Sequence, residues 1–186
     1  MRKDVERWET KYRRADPKPD HRVDSLLEAR QRHLVGNGVA LDLAAGACHA
    51  AVFLALIGYD TLAVDCSETA LVIGQGLARR VGTKIRVQAA DLDIFKIEPA
   101  AYDLVVCFRY LNRNLFPAMA ASLKPNGLLF FKTFNVHHLR SSPSFNPAYL
   151  LDPGELQRVF ASLKLIDLDD GEDPAKAQSW IVARRP

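Results

Sequence analysis

Residues 39–65 read VALDLAAGACHAAVFLALIGYDTLAVD, and this stretch decides the fold. Its first five residues, Val39–Leu43, are continuously apolar apart from one aspartate, which is typical of a strand buried on both faces. A turn of small residues comes next, followed by apolar side chains at helical spacing that stop before Gly58. Residues 61–64 are a second apolar run, which closes on Asp65. The sequence therefore predicts a strand, a helix and a second parallel strand.

The same alternation of strands and helices continues to residue 133. Ser67 predicts the N-cap of the next helix. Further strands are predicted at residues 85–87, 103–108 and 128–133, with a helix before the last of them. Because the strands are continuously apolar, helices must cover both faces of the sheet. We therefore predict an α/β fold with a doubly wound, mostly parallel sheet and right-handed crossovers.

The residues before this region predict helices. Val5, Trp8 and Tyr12 form one apolar stripe at helical spacing. Residues 23–34 predict a second amphipathic helix, which ends before the sequence GNG at residues 36–38. We expect an N-terminal helical cap over residues 1–36 and an α/β domain over residues 37–186.

The residues after the fifth strand are less regular. Residues 134–151 show no clean period, and we interpret them as a lid, because long unpatterned segments in compact domains are often functional. The sequence DPGE at residues 152–155 predicts a capped helix start, with Val159 on the buried face. Two final strands, at residues 163–168 and 179–183, predict an antiparallel pair joined by an acidic turn.

Composition excludes several classes of protein. The chain has 186 residues, of which 48% are hydrophobic, and a net charge of +3, so it can bury a core without disulfides or metals. Its three cysteines form no C-x-x-C pair, so we expect neither a disulfide framework nor a metal site. Basic residues near the N-terminus alternate with acidic ones, so no nucleic-acid partner is expected. No secretory signal or membrane-length apolar run is evident, so we expect a cytoplasmic protein without a membrane partner.

Three aspartates carry the chemical signal. Asp42 lies within the first predicted strand, Asp65 follows the second and Asp91 follows the third. In a doubly wound sheet, ligands bind at the carboxyl ends of the strands. A carboxylate at Asp65 can accept both hydroxyls of a ribose, and Asp91 can accept an exocyclic amine such as that of adenine. Gly46 in the first turn allows a ligand to approach the backbone closely, so the pattern predicts a nucleoside site.

Dinucleotide binding is a less favoured alternative. That reading requires G-x-G-x-x-G at the start of the helix, so that backbone amides meet a pyrophosphate. Residues 44–49 read AAGACH and contain one glycine. A nicotinamide-dependent oxidoreductase therefore stays open as a minor alternative, whereas a P-loop is excluded because its motif is absent.

Several motifs together resemble a known family. The sequences ALDLAAG at residues 40–46, AVFLA at 51–55 and GYDTLAVD at 58–65 resemble the first motifs of class I S-adenosylmethionine-dependent methyltransferases. The tellurite-resistance and thiopurine type is the nearest, and Trp8 and Tyr12 are similar to its N-terminal helix. The resemblance implies a Rossmann-like sheet of seven strands with the last strand antiparallel. It also implies S-adenosylmethionine as cofactor and S-adenosylhomocysteine as product.

The resemblance also implies positions for the site. Asp42 and the turn at residues 44–46 would lie beside the methionine portion of the cofactor, and Asp65 would hold its ribose. The cofactor-binding residues implied in this way are Asp42, Ala44, Gly46, Asp65, Cys66, Asp91, Leu92, Cys107 and Phe108. Arg109 and Tyr110 would border the acceptor.

Methyl transfer to a small-molecule acceptor is the predicted function. Because alignment drives in-line transfer, no catalytic acid or base is required, and none is assigned. If the acceptor has to lose a proton, Tyr110, His137 and His138 are candidate bases, and Arg109 is a candidate anchor for an anionic acceptor. Residues 107–112 read CFRYLN and lack the Asp/Asn-Pro-Pro-Tyr/Phe motif of amino-group methyltransferases acting on DNA.

Two departures from the family pattern keep a second alternative open. Cys48 stands where the family usually has a glycine, and Ala44 stands at another position that is often glycine. We expect a side chain at Cys48 to narrow the cofactor turn. The alternative is therefore a non-catalytic or weakly cofactor-binding protein on the methyltransferase fold.

Overall fold

Seven strands form one mixed sheet in the structure, a computed structural model that describes residues 2–186, with side chains from Val5 onward. The strands are β1 (Val39–Leu43), β2 (Asp60–Asp65), β3 (Arg86–Ala89), β4 (Tyr102–Phe108), β5 (Leu123–Phe134), β6 (Lys164–Asp169) and β7 (Gln178–Arg184). Their order is β3-β2-β1-β4-β5-β7-β6, and β7 is antiparallel to both of its neighbours. The predicted fold class is confirmed.

In residues 2–186, six α-helices and four short 3₁₀ helices accompany the strands. The α-helices are α1 (Arg2–Arg13), α2 (Ser25–Ala29), α3 (His49–Leu56), α4 (Glu68–Arg80), α5 (Phe116–Ser122) and α6 (Glu155–Val159). The 3₁₀ helices are Gln31–His33, Arg113–Leu115, Val136–Arg140 and Pro147–Tyr149. In the part of the chain that the structure describes, no helix is long and apolar enough to cross a membrane.

The first of two compact units ends at Lys96 and contains β1 to β3. These three strands are parallel, with Asp42 opposite Ala63 and Asp65 opposite Ala89. Ser67 caps α4 as predicted, because its hydroxyl accepts a hydrogen bond from the amide of Ala70. The predicted helix over residues 23–34 is wrong in length. It shortens to α2 and a 3₁₀ turn because only Leu26 and Leu27 are fully buried.

The second unit, Ile97–Pro186, contains β4 to β7. Phe116, Phe131 and Phe160 pack together at its centre, with ring centroids 5.1 to 6.1 Å apart. Strand β5 starts five residues before the predicted residue 128, since Leu123 already pairs with Tyr102. Residues 124–127 form an irregular stretch inside β5, with Asn126 at a φ of 66°.

Helix α6 begins later than the sequence predicts. The predicted cap, Asp152, offers its backbone amide to the Glu155 carboxylate instead of capping the helix with its side chain. The carboxylate of Asp170 accepts hydrogen bonds from the amides of Leu156 and Gln157 and stabilises the first turn. Val159 is 39% exposed, so its predicted burial is wrong. The distant cap explains why local sequence misplaced the helix start.

Candidate functional site

The turn between β1 and α3 has an unusual backbone. Ala44, Gly46 and Cys48 adopt left-handed conformations, with φ of 55°, 53° and 59°. This conformation costs a non-glycine residue about 1 kcal/mol or more. The turn is held by the amide of Ala45, which donates to Val64 at 3.1 Å, and by that of Cys48, which donates to Ala45 at 2.8 Å. The backbone thus explains why glycine suits positions 44 and 48 in the resembling family.

The side chain of Cys48 points into the core. It is fully buried in a cluster that includes Ala51, Val52 and Leu71. A Cβ atom added to Gly74 of α4 would overlap the side chain of Cys48, so the missing side chain at Gly74 makes room for the thiol. Burial raises the pKa of this thiol. Cys48 is therefore a packing residue in this structure.

We predict that Gly74→Ala lowers the free energy of unfolding by about 1–3 kcal/mol, because the new methyl group overpacks against Cys48. Cys48→Gly should remove the overlap, so the double variant should recover most of the loss. Urea denaturation of both single variants and the double variant measures this coupling. Gly76→Ala is the matched control on the same helix, because a Cβ there meets only the end of Arg80. Strict additivity of the two substitutions would contradict the prediction.

Asp65 ties the first turn to the end of β2. Its Oδ2 atom accepts a hydrogen bond from the amide of Gly46 at 2.7 Å, and its Oδ1 atom accepts one from the amide of Ser67 at 2.9 Å. The side chain is buried, with 7% of its surface exposed. The structure therefore brings together two residues that the sequence singled out, Gly46 and Asp65, around one carboxylate.

The side chain of Asp42, in β1, stabilises the first turn of α3. Its Oδ2 atom accepts a hydrogen bond from the amide of Ala51 at 3.0 Å, and the side chain is only 2% exposed. Burial raises the pKa of Asp42 to about 8, the charge of Asp65 adds to the rise, and the hydrogen bond from Ala51 opposes it. The ionised form is therefore disfavoured in the folded, ligand-free protein.

The raised pKa of Asp42 predicts a pH-dependent stability. The folded protein resists ionisation of Asp42. The contribution of Asp42 to the free energy of unfolding should therefore fall as pH rises from 3.8 to about 8 and level off above that. The slope should approach ~1.4 kcal/mol per pH unit. Asp42→Asn, which keeps an oxygen for Ala51, should lack this loss. Urea denaturation of both proteins at several pH values checks the difference, and parallel curves would contradict it.

Helix α1 contacts two turns of the site, the one between β1 and α3 and the one between β2 and α4. A Cβ atom at Gly46 would overlap the hydroxyl group of Tyr12, so Tyr12 lies directly against the glycine. The carboxylate of Glu9 accepts hydrogen bonds from the hydroxyls of Ser67 and Thr69 and from the amide of Thr69. These bonds lower the pKa of Glu9 to about 2, and the bond from the Thr69 hydroxyl has the largest effect. Sequence reasoning had missed Glu9, although it lies three residues before Tyr12 on the same face of α1.

The remaining predicted residues of the first unit follow β2 and β3. Cys66 is half-buried, and burial together with the neighbouring Asp65 raises the pKa of its thiol to about 11. The amide of Ala90 donates to the carbonyl of Asp65 at 3.0 Å, which brings the end of β3 beside β2. Asp91 is half-buried and accepts from the amide of Asp93, while Leu92 is buried. All three therefore lie at the carboxyl end of their strands.

The predicted residues of the second unit lie at the carboxyl end of β4. Cys107 is buried, Phe108 and Tyr110 are half-buried, and Arg109 is exposed. Arg109 has a φ of 57°, and its amide donates to the carbonyl of Lys132 at 2.8 Å. A non-glycine residue in this strained conformation, directly after a central strand, is typical of functional positions.

An ion pair between the exposed Arg113 and the buried Glu155 in the second unit was not predicted. Arg113 donates to both carboxylate oxygens of Glu155, at 2.7 and 2.8 Å, and to the carbonyls of Ala148 and Leu150. Glu155 raises the pKa of Arg113. The two residues are 42 positions apart, so no local pattern could have paired them. Among the described residues, no group of His, Cys, Asp and Glu side chains could hold a metal ion.

Comparison with known proteins identifies similar sequences and folds. Residues 40–127 match the family described as "Methyltransferase domain". The ubiquinone biosynthesis O-methyltransferase of Bordetella avium (strain 197N) is 28% identical over 127 residues, which cover 63% of this chain and 53% of that protein. TehB from Haemophilus influenzae superposes with a TM-score of 0.74 at 14% identity, over 88% of this chain and 63% of that one. Geranyl diphosphate C-methyltransferase from Streptomyces coelicolor A3(2), solved with S-adenosyl-L-homocysteine, has a TM-score of 0.67 at 15% identity, over 87% and 77%.

These findings define the class of protein: the sheet has the Rossmann-like fold of methyltransferases. The match of residues 40–127 to the methyltransferase domain agrees with the family that the motifs predicted. The cofactor prediction is also supported, since a solved neighbour holds S-adenosyl-L-homocysteine. The chain spans about half the length of the first curated relative, 53%.

Proposed function

We propose that this chain transfers a methyl group from S-adenosylmethionine to a small-molecule acceptor. The observation that supports the proposal most is the buried carboxylate of Asp65. Asp65 ends β2, and its carboxylate accepts a hydrogen bond from Gly46 in the turn after β1. Ligands of doubly wound sheets bind at this edge. The relatives support the acceptor class, because their names refer to ubiquinone biosynthesis and to geranyl diphosphate.

The residues present fit the cofactor chemically. Asp65 supplies acceptor oxygens for ribose hydroxyls, and each oxygen has a second lone pair beyond the bond it makes to the backbone. Asp42 supplies a second carboxyl group near the turn, and Asp91 a third after β3. The Cys48 side chain, which would have narrowed the turn, packs against Gly74 instead. This placement counts against the alternative of a fold that binds no cofactor.

Alignment and exclusion of water are the tasks of the protein in such a reaction. Bound S-adenosylmethionine supplies the electrophilic methyl group on its sulfonium sulfur. Holding the two reactants in line contributes several kcal/mol without a catalytic acid or base. In this chain Asp65 fixes the turn, and α1 covers it through Tyr12 and Glu9. Tyr12 and Glu9 therefore belong to the proposed cofactor site.

Calorimetric titration of the purified chain tests the proposal. We expect S-adenosylmethionine and S-adenosylhomocysteine to bind at one site each, and NAD to give no heat. Tritium from the labelled methyl group should then appear in the small-molecule fraction of a cell extract. If neither ligand binds, or if NAD alone does, the proposal is wrong.

A further inference from the structure

One imidazole ring just after β5 has its tautomer fixed by a backbone contact. The Nε2 atom of His137 lies 2.9 Å from the carbonyl oxygen of Gly171, which is in the turn between β6 and β7. Because a carbonyl oxygen only accepts hydrogen bonds, Nε2 carries the hydrogen and donates it. In the neutral ring the lone pair is therefore on Nδ1, and this nitrogen can take up a proton.

A buried asparagine fixes the backbone at the same place. Asn135 is fully buried, and its Oδ1 atom accepts a hydrogen bond from the amide of His137 at 3.0 Å. Its Nδ2 atom donates to the carbonyl of Lys176 at 3.1 Å and to the hydroxyl of Ser179 at 3.0 Å. His137 is thus held through its backbone and through its ring, as a group that must meet a reactant in one orientation requires.

The Nδ1 atom of His137 is accessible to solvent. In the described part of the chain, every buried side-chain nitrogen or oxygen has a hydrogen-bond partner, whereas the ring of this half-buried residue makes only the bond to Gly171. The neighbouring His138 differs, because its ring packs against those of Phe134 and Phe145. A basic nitrogen that is both oriented and accessible is available at His137.

His137 lies at the edge of the sheet where ligands of this fold bind. Strands β5 and β6 are both antiparallel to β7, so β5 and β6 end at the same edge. Strand β4 is parallel to β5, and the amide of Arg109, directly after β4, donates to the carbonyl of Lys132. His137 therefore shares this edge with Arg109 and Tyr110, the residues expected to border the acceptor.

We infer that His137 is the general base of the reaction and that the acceptor is a hydroxyl compound. The inference rests on the proposed function and names the class of its substrate. A hydroxyl group must lose its proton to become a good nucleophile, and an oriented imidazole is suited to take it. The acceptor oxygen bonds to the methyl carbon while the carbon–sulfur bond breaks and its electron pair stays on sulfur. The hydroxyl proton passes to Nδ1 of His137, so the positive charge lost by sulfur appears on the ring.

The carboxylates of the turn beside His137 have other partners. Asp169 pairs with Lys176 at 2.6 Å, Asp173 lies 4.0 Å from the same lysine, and Asp170 accepts hydrogen bonds at the start of α6. The other titratable or charged groups of this turn, of the 3₁₀ helix and of the end of β5 are Glu172, His138, Arg140 and Lys132. Substitution of His137 therefore tests the ring without breaking an ion pair.

Histidine variants separate a base from a structural contact. His137→Gln keeps an NH₂ donor for the carbonyl of Gly171 but has no basic nitrogen. The rate of tritium transfer from labelled S-adenosylmethionine to the small molecules of a cell extract is measured at several pH values. We expect His137→Gln to lose about 100-fold or more in rate, together with the fall in rate at acid pH, while its affinity for S-adenosylhomocysteine stays unchanged. His138→Gln should keep the fall at acid pH, and His33→Gln, in the first unit, is the control that should change nothing.

Nitrogen NMR of the histidine rings provides a readout that is independent of activity. The signals of His137 are identified by their absence in His137→Gln, and they should show a hydrogen on Nε2 and none on Nδ1 in the neutral ring. A hydrogen on Nδ1 instead, or a His137→Gln variant with the rate and pH profile of the parent protein, would overturn this inference alone. Failure of the parent protein to bind S-adenosylhomocysteine or to transfer tritium would instead overturn the proposed function.

Discussion

Replacing Asp65 with Ala should lower the affinity for S-adenosylhomocysteine by about 100-fold, equal to ~2.7 kcal/mol. The buried carboxylate holds the amides of Gly46 and Ser67, so its loss removes the fixed shape of both turns. It also removes the oxygens proposed to accept the ribose hydroxyls. Calorimetric titration of the folded variant, checked by circular dichroism, measures the effect.

A second substitution separates charge from shape at Asp65. Asp65→Asn keeps one oxygen for the Ser67 amide, but its NH₂ group cannot accept the hydrogen bond of Gly46. We expect it to lose most of the affinity while keeping most of the stability. Asp60→Asn at the other end of β2 is the matched control, because Asp60 is exposed and pairs with Arg86. An unchanged affinity in both Asp65 variants would refute the ribose role.

Much of this fold is predictable from sequence because its central strands, such as β1 and β4, are apolar along most of their length. The bounds of β1 agree residue for residue, and Ser67 caps α4 as its position predicts. The motifs around residues 40–65 also indicated the family and the cofactor. Each of these features depends on residues close together in the chain, so a local pattern is enough to identify it.

Features that depend on distant residues were not predictable. Asp170 caps α6 from 14 positions away, and Glu9 contacts Thr69 from 60 positions away. The direction of the Cys48 side chain is another case, because it depends on the space that Gly74 leaves in α4. The spacing of residues in the sequence predicts which residue types follow the end of a strand. The backbone conformation of the turn decides which way the side chain points.

The ion pair between Arg113 and Glu155 predicts a large loss of stability in Arg113→Ala. Glu155 is 6% exposed, so removing its partner leaves a buried carboxylate without a cation. Because the side chain of Arg113 is 43% exposed, water screens part of the effect, and we expect a loss of about 2–4 kcal/mol. Thermal denaturation should show Tm falling by about 10 °C.

The pair between Arg86 and Asp60 provides a control of the same geometry. It is also bidentate, with nitrogen to oxygen distances of 2.9 and 3.0 Å, but both side chains are more than half exposed. Arg86→Ala should therefore cost less than about 1 kcal/mol. In the second unit, Glu155→Ala combined with Arg113→Ala should be less destabilising than the sum of the two changes, because no unpaired charge stays buried. Equal losses at Arg86 and Arg113 would show that burial of Glu155 does not determine the strength of the pair.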